Sequence, residues 1–162
     1  MTKNLKNIFV SQGIYNIFEK YNWKIYSNTN DNYDFNYKGE IADYYLNISL
    51  KSQTIIFEYV LDVEFPKDKI YDLFVLINFI NEKSIGGYFT FNLDFNIIKF
   101  KVSKNCDGIL TKEFILEFIE TNLSFTHELF RNFTLYLHNL VHNEKTSQDL
   151  MELMFLNIEG HA

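Results

Sequence analysis

The sequence predicts an α+β fold in which helices pack on an antiparallel β-sheet. Two pairs of segments alternate apolar and polar residues, as the strands of β-hairpins do. Segments before, between and after these pairs repeat apolar residues with the helical period. Because only short links join the alternating segments, their strands are expected to pair antiparallel. The predicted order of elements is α-β-β-β-β-α-β-β-α-α.

The first helix is predicted from apolar residues at positions i, i+3, i+4 and i+7, which are Ile14, Ile17, Phe18 and Tyr21. Ser11 is predicted to cap its N-terminus, because a serine hydroxyl can accept a hydrogen bond from an N–H group of the first turn. Alternating patterns begin after this helix, first at Trp23 and again at Phe35. The Asn/Asp-rich segment 28–32 between them is predicted to be a turn.

The two clearest strands form a predicted hairpin across the short link 51–53. Their apolar positions are Tyr44, Leu46, Ile48 and Leu50, followed by Ile55, Phe57, Tyr59 and Leu61. Mixed residues alternate with these, and they include Tyr45, Asn47, Ile56, Glu58 and Val60. One apolar face and one mixed face are typical of a sheet that helices cover on one side.

A central helix is predicted to begin near Pro66 and to end at Gly86 or Gly87 in a left-handed conformation. Its apolar stripe consists of Ile70, Leu73, Phe74, Ile77 and Ile80. A second hairpin follows, with its turn at 94–96 and with apolar positions at Phe89, Phe91 and Leu93 and at Ile98, Phe100 and Val102.

The remaining sequence predicts two helices. The first extends from Thr111 to about His142, and the segment 122–126 is predicted to bend or split it. The second begins at Thr146-x-x-Asp149, which resembles a capping box with Asp in place of Glu or Gln.

Length and composition predict a single domain over residues 1–162, with its core at about 11–155. Aromatic residues make up 18% of the chain, so some are expected at the surface, either at an interface or as a result of AT-rich coding bias. The net charge is −6 and no Lys/Arg cluster occurs, which disfavours nucleic acid and anionic membranes as partners. The single cysteine and the absence of a long apolar segment predict a cytoplasmic protein without membrane insertion.

No constellation predicts catalysis, a metal or a cofactor. His138 and His142 have metal-ligand spacing, but Asn139 stands where the zinc-protease motif has Glu. The segment 103–108 is similar to part of a calcium loop, but Ser103 and Phe114 would stand where calcium needs carboxylates. Cys106 has no histidine close in sequence, so an inert structural thiol is predicted. The sequence also lacks a P-loop, a dinucleotide fingerprint and a G-x-S-x-G motif.

The most informative residues lie where the central helix meets the next strand: Asn81, Glu82, Gly87 and Phe89. Asn81 is on or beside the apolar stripe, so its amide is expected to bond to a neighbouring backbone or, alternatively, to contact a partner. Gly87 is expected to supply backbone freedom or to allow the helix and the strand to approach each other closely.

These residues resemble the bacterial YbjN family, whose members are often labelled sensory transduction regulators. The strongest match is Asn81-Glu82 followed by Gly87-Tyr88-Phe89. The other matches are Tyr21-Asn22-Trp23, Ala42-Asp43-Tyr44, the segment 61–66, Gly108-x-Leu110-Thr111 and Phe130-x-x-Phe133. The resemblance spans about 11–155, and the chain departs from the pattern at Ser84-Ile85-Gly86, where bulkier residues are expected.

The resemblance implies a fold similar to that of type III secretion chaperones, which are commonly dimeric and bind extended segments of other proteins. The expected function is therefore a non-catalytic protein-binding module, chaperone-like or regulatory, that forms a homodimer. The mixed strand face of Tyr45, Asn47, Ile56, Glu58 and Val60 is the candidate partner-binding face, unless its own helices or a twin subunit cover it. An open strand edge is the alternative place for an extended peptide to bind. The alternative is a small-ligand sensor or enzyme whose site is assembled only in space.

Overall fold

The computed structural model describes residues 3–20, 23–29, 32–38, 42–51, 53–62, 65–83, 86–106, 111–142 and 145–159. The first half of the chain forms one helix and four strands: α1 (Lys3–Lys20), β1 (Ile25–Thr29), β2 (Asn32–Lys38), β3 (Asp43–Lys51) and β4 (Thr54–Asp62). The second half contains α2 (Ile70–Lys83), β5 (Tyr88–Asn92), β6 (Ile97–Asn105), α3 (Lys112–Val141) and α4 (Ser147–Glu159). The predicted α+β class and order of elements are confirmed.

The six strands form one antiparallel sheet in the order β1-β2-β3-β4-β6-β5. Each strand lies beside a neighbour in sequence except where β6 inserts between β4 and β5. The two edges of the sheet are therefore β1 and β5. Cross-strand partners lie on the same face of a sheet, so a row such as Tyr45, Val60, Lys99 and Thr90 runs across four strands on one face.

The inner face of the sheet carries the hydrophobic core, and the described helices pack against it. Phe18 of α1 stacks on Phe35 with ring centroids 3.6 Å apart. On α3, Phe130 stacks on Tyr59 at 4.9 Å and Phe133 lies 3.8 Å from the ring of Phe89. The rings come from α1, α3 and three different strands, which explains how the chain buries many of its aromatic residues.

Hydrogen bonds and an ion pair tie the helices to one another and to the sheet. The buried hydroxyl of Tyr59 lies 3.0 Å from Thr126 Oγ1, which satisfies a polar group in the core. Lys20 of α1 pairs with Glu120 of α3. Ser147 of α4 donates to Asp72 of α2 at 2.8 Å. The helical layer is therefore connected by polar contacts at its rim.

Two predicted helix starts are confirmed. The hydroxyl of Thr111 caps α3 by accepting a hydrogen bond from Phe114 N at 3.3 Å. In the capping box of α4, Asp149 Oδ2 accepts from Thr146 N at 2.9 Å, and Asp149 N donates back to Thr146 Oγ1 at 3.2 Å. The carboxylate also accepts from Thr146 Oγ1 at 2.7 Å, and this hydrogen bond, together with that from Thr146 N, lowers the pKa of Asp149.

Two local predictions are wrong, and a third is too wide. Ser11 is not a cap, because α1 begins eight residues earlier in the chain at Lys3 and the Ser11 hydroxyl instead contacts the hydroxyl of Tyr33. The predicted turn 28–32 is too wide, since Asn28 and Thr29 belong to β1 and Asn32 to β2, and positions 30 and 31 lie outside the described residues. Helix α3 is continuous through 122–126, where the Asn122 amide bonds to the Phe118 carbonyl within the same helix.

Candidate functional site

The outer face of the sheet brings together all five residues of the predicted partner-binding face. Tyr45 lies opposite Val60, Asn47 lies opposite Glu58, and Ile56 follows two residues before Glu58 along β4. The Tyr45 side chain is 54% exposed, and the other four are partly exposed. None of the five is fully buried within the chain, so their side chains can reach a partner.

The same face continues onto β6 and β5. Tyr88, which is 48% exposed, lies opposite Lys101, and Thr90 lies opposite Lys99. Lys99 forms an ion pair with Glu58 at 3.2 Å. The amide of Asn47 donates to Asp34 at 2.6 Å. Aromatic, aliphatic and paired charged side chains alternate here, so the net acidity of the chain is not concentrated on this face.

Asn81 covers part of the β5 edge of the sheet. Its Nδ2 donates to Phe89 O at 2.8 Å, and its Oδ1 accepts from Phe89 N at 2.6 Å. Both backbone groups of one strand residue point to the same side, so those of Phe89 point away from β6. The amide of Asn81 thus takes the place of a neighbouring strand at this point. The predicted bond between Asn81 and a neighbouring backbone is confirmed.

For the two glycines after α2, the structure decides between the predicted alternatives. Gly86, and not Gly87, has positive φ, at +140°. Gly87 is needed for space: a Cβ there would lie 2.6 Å from Phe100 Cε2 and 2.7 Å from Val102 Cγ2. The close approach is to buried side chains of β6 and not to a backbone. Glu82 is exposed beside this junction.

The structure also assembles an aromatic cluster that the sequence analysis missed. His127 of α3 lies between the rings of Trp23, Tyr37 and Tyr44, with centroid distances of 5.8, 5.2 and 5.8 Å. Tyr44 Oη lies 2.8 Å from His127 Nδ1. One signal was available in the sequence: His127 stands three residues before Phe130, on the apolar stripe of its helix.

Burial determines the protonation of this cluster. It lowers the pKa of the His127 imidazole, and the Arg131 guanidinium lowers it further. Burial also raises the pKa of Tyr44, and the neighbouring Tyr59 and Tyr37 add to this effect. At neutral pH both the imidazole and the phenol are therefore neutral. Their contact is a hydrogen bond between uncharged groups in a mostly apolar environment.

A pH-dependent stability is expected from His127. Its pKa is lower in the folded chain than the unfolded value of about 6.5. Between these two values the unfolded chain binds more protons, so stability should fall as the pH falls below about 6.5. Urea unfolding at about pH 7.5 and about pH 5 measures this effect. Between these two pH values, the free energy of unfolding should fall less in His127→Phe than in the wild type. In this account the His127 ring is surrounded by Arg131, Tyr37, Tyr44 and Tyr59. An equal fall in the free energy of unfolding in both proteins would contradict it.

Two adjoining cavities lie beside this cluster and share Trp23 and His127. The first, of about 220 Å³, is also lined by Lys24, Tyr37, Lys38 and Tyr44, among others. The second, of about 330 Å³, lies along α3 and is lined by Glu128, Arg131 and their neighbours. Together they form a cleft that opens between α3, the start of β1 and the hairpin of β2 and β3.

The other residues considered from sequence do not converge on a site. His138 and His142 lie with ring centroids 4.2 Å apart at the end of α3. Cys106 is buried, and its thiol donates to Gln53 O at 3.0 Å. Positions 107 and 108 of the segment similar to a calcium loop lie outside the described residues. Within the described part of the chain, no group of three or more His, Cys, Asp or Glu side chains could hold a metal ion.

Of the helical segments that the structure describes, none combines the length and the apolar character that a membrane span needs.

Comparison with solved structures identifies a relative in fold. A crystal structure of YbjN from E. coli, which is described as a candidate transcription regulator, superposes with a TM-score of 0.50 and 12% identity. The superposition covers 82% of this chain and 90% of that chain. The chain has a YbjN-like fold. No protein-family profile matches the sequence, and a search of curated proteins finds no match.

The YbjN-like fold gives several residues of the resemblance a structural role. Phe130 and Phe133 are buried in the core, and Tyr44 of Ala42-Asp43-Tyr44 bonds to His127. Trp23 packs at 5.3 Å on Phe18. Tyr21, Asn22, Val63, Glu64, Gly108 and Leu110, which also belong to the resemblance, lie outside the described residues.

Proposed function

We propose that this chain is a non-catalytic protein-binding module with a regulatory or chaperone-like role and that it is a member of the YbjN family. The observation that supports the binding role is the outer face, where Tyr45 is 54% exposed beside Val60 on adjacent strands. The described helices contact the opposite face, so the strands form a rigid support for these side chains. Exposed tyrosines beside aliphatic residues are typical of protein interfaces.

A partner segment should bind across this face and not along the β5 edge. An extended peptide can add to a sheet edge only through unpaired backbone groups. At β5 the Asn81 amide already bonds both backbone groups of Phe89. At the opposite edge, the pairing of β1 with β2 is irregular between Ile25 and Ser27, a feature that discourages edge-to-edge pairing. We therefore expect side chains of the outer face, and not backbone groups of a sheet edge, to contact the partner.

The partner chemistry follows from the composition of the face. Tyr45, Val60 and Ile56 would contact apolar side chains, while Asn47 and Glu58 offer polar contacts. The paired charges of Glu58 and Lys99 leave no strong field of one sign. A neutral segment with alternating apolar residues fits this face best.

A homodimer belongs to the same proposal. Two copies could each present an outer face to a partner, or the two faces could contact each other. Light scattering coupled to size exclusion, applied to the wild type and to Val60→Lys, separates these arrangements. A dimer that persists in Val60→Lys places the dimer contact elsewhere and leaves the face for a partner, whereas a monomeric variant assigns the face to the twin subunit.

The binding role is tested with an affinity pull-down from native lysate, followed by affinity measurements with the captured protein. Tyr45→Ala combined with Val60→Thr should weaken binding about 10- to 30-fold, the effect of losing about 1.4–2 kcal/mol at an interface hot spot. Tyr71→Ala is the matched control, since Tyr71 is 78% exposed on α2 in the helical layer. If the double variant binds the captured protein as tightly as the wild type, the outer face is not the binding surface.

A small-ligand sensor is the second candidate function. The observation that favours it is the cleft beside His127, in which aromatic rings and polar groups from β2, β3, α3 and the segment before β1 converge.

A further inference from the structure

The cleft beside Trp23 and His127 is lined by aromatic rings and by positively charged side chains. Trp23, Tyr37, Tyr44 and His127 line its first cavity and belong to one cluster of contacting rings. The described residues that line this cavity include Lys24 and Lys38 and no carboxylate. Both lysines are exposed, whereas the rings are partly or fully buried.

The size of the first cavity limits the ligand. Its volume of about 220 Å³ would hold about seven water molecules at about 30 Å³ each. Drug-sized ligands occupy cavities of about 300–1,000 Å³, so the cavity suits a molecule of one or two rings. The adjoining cavity of about 330 Å³ gives room for a substituent that extends along α3 toward Arg131.

Charge decides which ring-bearing molecule fits. A cation would gain from the faces of Trp23 and Tyr37, but it would be repelled by Lys24, Lys38 and the nearby Arg131. An anion gains from all three cations, although Glu128, which lines the second cavity together with Arg131, repels it, and its ring can still stack on the aromatic walls. Tyr44 Oη and His127 Nδ1 already share one hydrogen bond, so this pair of neutral groups has one remaining O–H or N–H donor for a carboxylate.

We propose that this cleft binds a small planar aromatic carboxylate, with its ring against Trp23 and Tyr37 and its carboxylate toward Lys24 and Lys38. The rings of this site lie on the helical side of the sheet, whereas Lys38, which lies opposite Asp43, belongs to the outer-face row next to Asn36 and Tyr45. The inference rests on the second candidate function, the small-ligand sensor, and its test is independent of protein binding.

The site contains its own probe, because Trp23 is the single tryptophan of the chain. In ¹⁵N-labelled protein its indole N–H gives one resolved signal. Titration with benzoate, at constant ionic strength and up to about 10 mM, should shift this signal in a saturable way with a Kd of about 1 mM or below. Benzylammonium, which has the same ring and the opposite charge, should bind at least about fivefold more weakly.

Variants distinguish binding at this site from non-specific binding elsewhere on the protein surface. Lys24→Gln combined with Lys38→Gln should weaken benzoate binding about three- to tenfold, and it changes exposed side chains that the fold does not need. Tyr37→Leu should weaken it further by removing a stacking surface. Tyr45→Ala, on the outer face, should leave the titration unchanged.

Three results would overturn the proposal. The first is the absence of a saturable shift of the Trp23 signal by benzoate. The second is equal binding of benzoate and benzylammonium, which would show that charge plays no part. The third is a double lysine variant that keeps the folded spectrum and binds benzoate as the wild type does.

Discussion

Replacing Gly87 by valine is expected to lower the free energy of unfolding by about 1–3 kcal/mol, the range found when groups are forced into a packed core. A Cβ at position 87 would lie 2.6 and 2.7 Å from two ring carbons of Phe100 and 2.7 Å from Val102 Cγ2. Such separations are well inside van der Waals contact, so the ring or the backbone has to move. Phe100 is stacked on Phe89 at 4.3 Å and is fully buried, which leaves it little freedom to do so.

The measurement is urea unfolding of Gly87→Val, Gly87→Ala and a control on β5, the strand that follows Gly87. Gly87→Ala adds only the Cβ, so its loss should be smaller than that of Gly87→Val. Thr90→Val is a suitable control, because Thr90 is exposed on the outer face and its substitution should cost less than about 0.5 kcal/mol. If Gly87→Val unfolds at the same urea concentration as the wild type, close approach to β6 is not the reason for a glycine here.

The architecture was predictable because periodicity records burial. The residues that alternate along β3 and β4 are those that face the core, from Tyr44 to Leu61. The stripe of α3 likewise contains Phe130 and Phe133, which contact the sheet. These patterns survive tertiary folding since the hydrophobic effect acts on the same faces that the pattern defines.

The errors lie where a local signal competes with tertiary contacts. Ser11 is a good cap in isolation, but the preceding residues extend the helix and Ser11 faces Tyr33 of β2. Segment 28–32 is polar enough for a turn, but pairing with β2 keeps Asn28 and Thr29 in a strand. Strand pairing satisfies backbone groups that a turn would leave to solvent, and the alternation rule gives no information about polar edge strands.

The candidate sites were predictable to different degrees. The outer face follows from alternation alone, since Tyr45, Glu58 and Val60 occupy positions opposite to the core pattern. The cleft does not, because Trp23, Tyr37, Tyr44 and His127 are distant in sequence and no spacing rule connects them. Cavities of this kind depend on the angle at which α3 crosses the sheet, a quantity that one-dimensional patterns do not contain.

The second large effect is expected at Asn81. In Asn81→Ala the N–H and C=O groups of Phe89 lose their partner at a partly buried edge, which should cost about 1–3 kcal/mol of stability. The edge of β5 also becomes available for pairing with other chains, so the variant should self-associate more readily. Asn78→Ala is the matched control, because Asn78 is exposed on the same helix one turn earlier.

Asn81→Asp tests the geometry of the pair without changing its shape. One carboxylate oxygen can still accept from Phe89 N, but the other meets the Phe89 carbonyl where Nδ2 now donates at 2.8 Å. Repulsion between the two oxygens should raise the pKa of this Asp above its unfolded value of about 3.9, because the protonated form can donate. The folded chain then binds more protons than the unfolded chain, so the variant should gain stability relative to Asn81→Ala as the pH falls toward about 4. Urea unfolding of both variants across this range measures the difference, and a difference that does not change with pH would show that the Asn81 amide is not paired with Phe89 in solution.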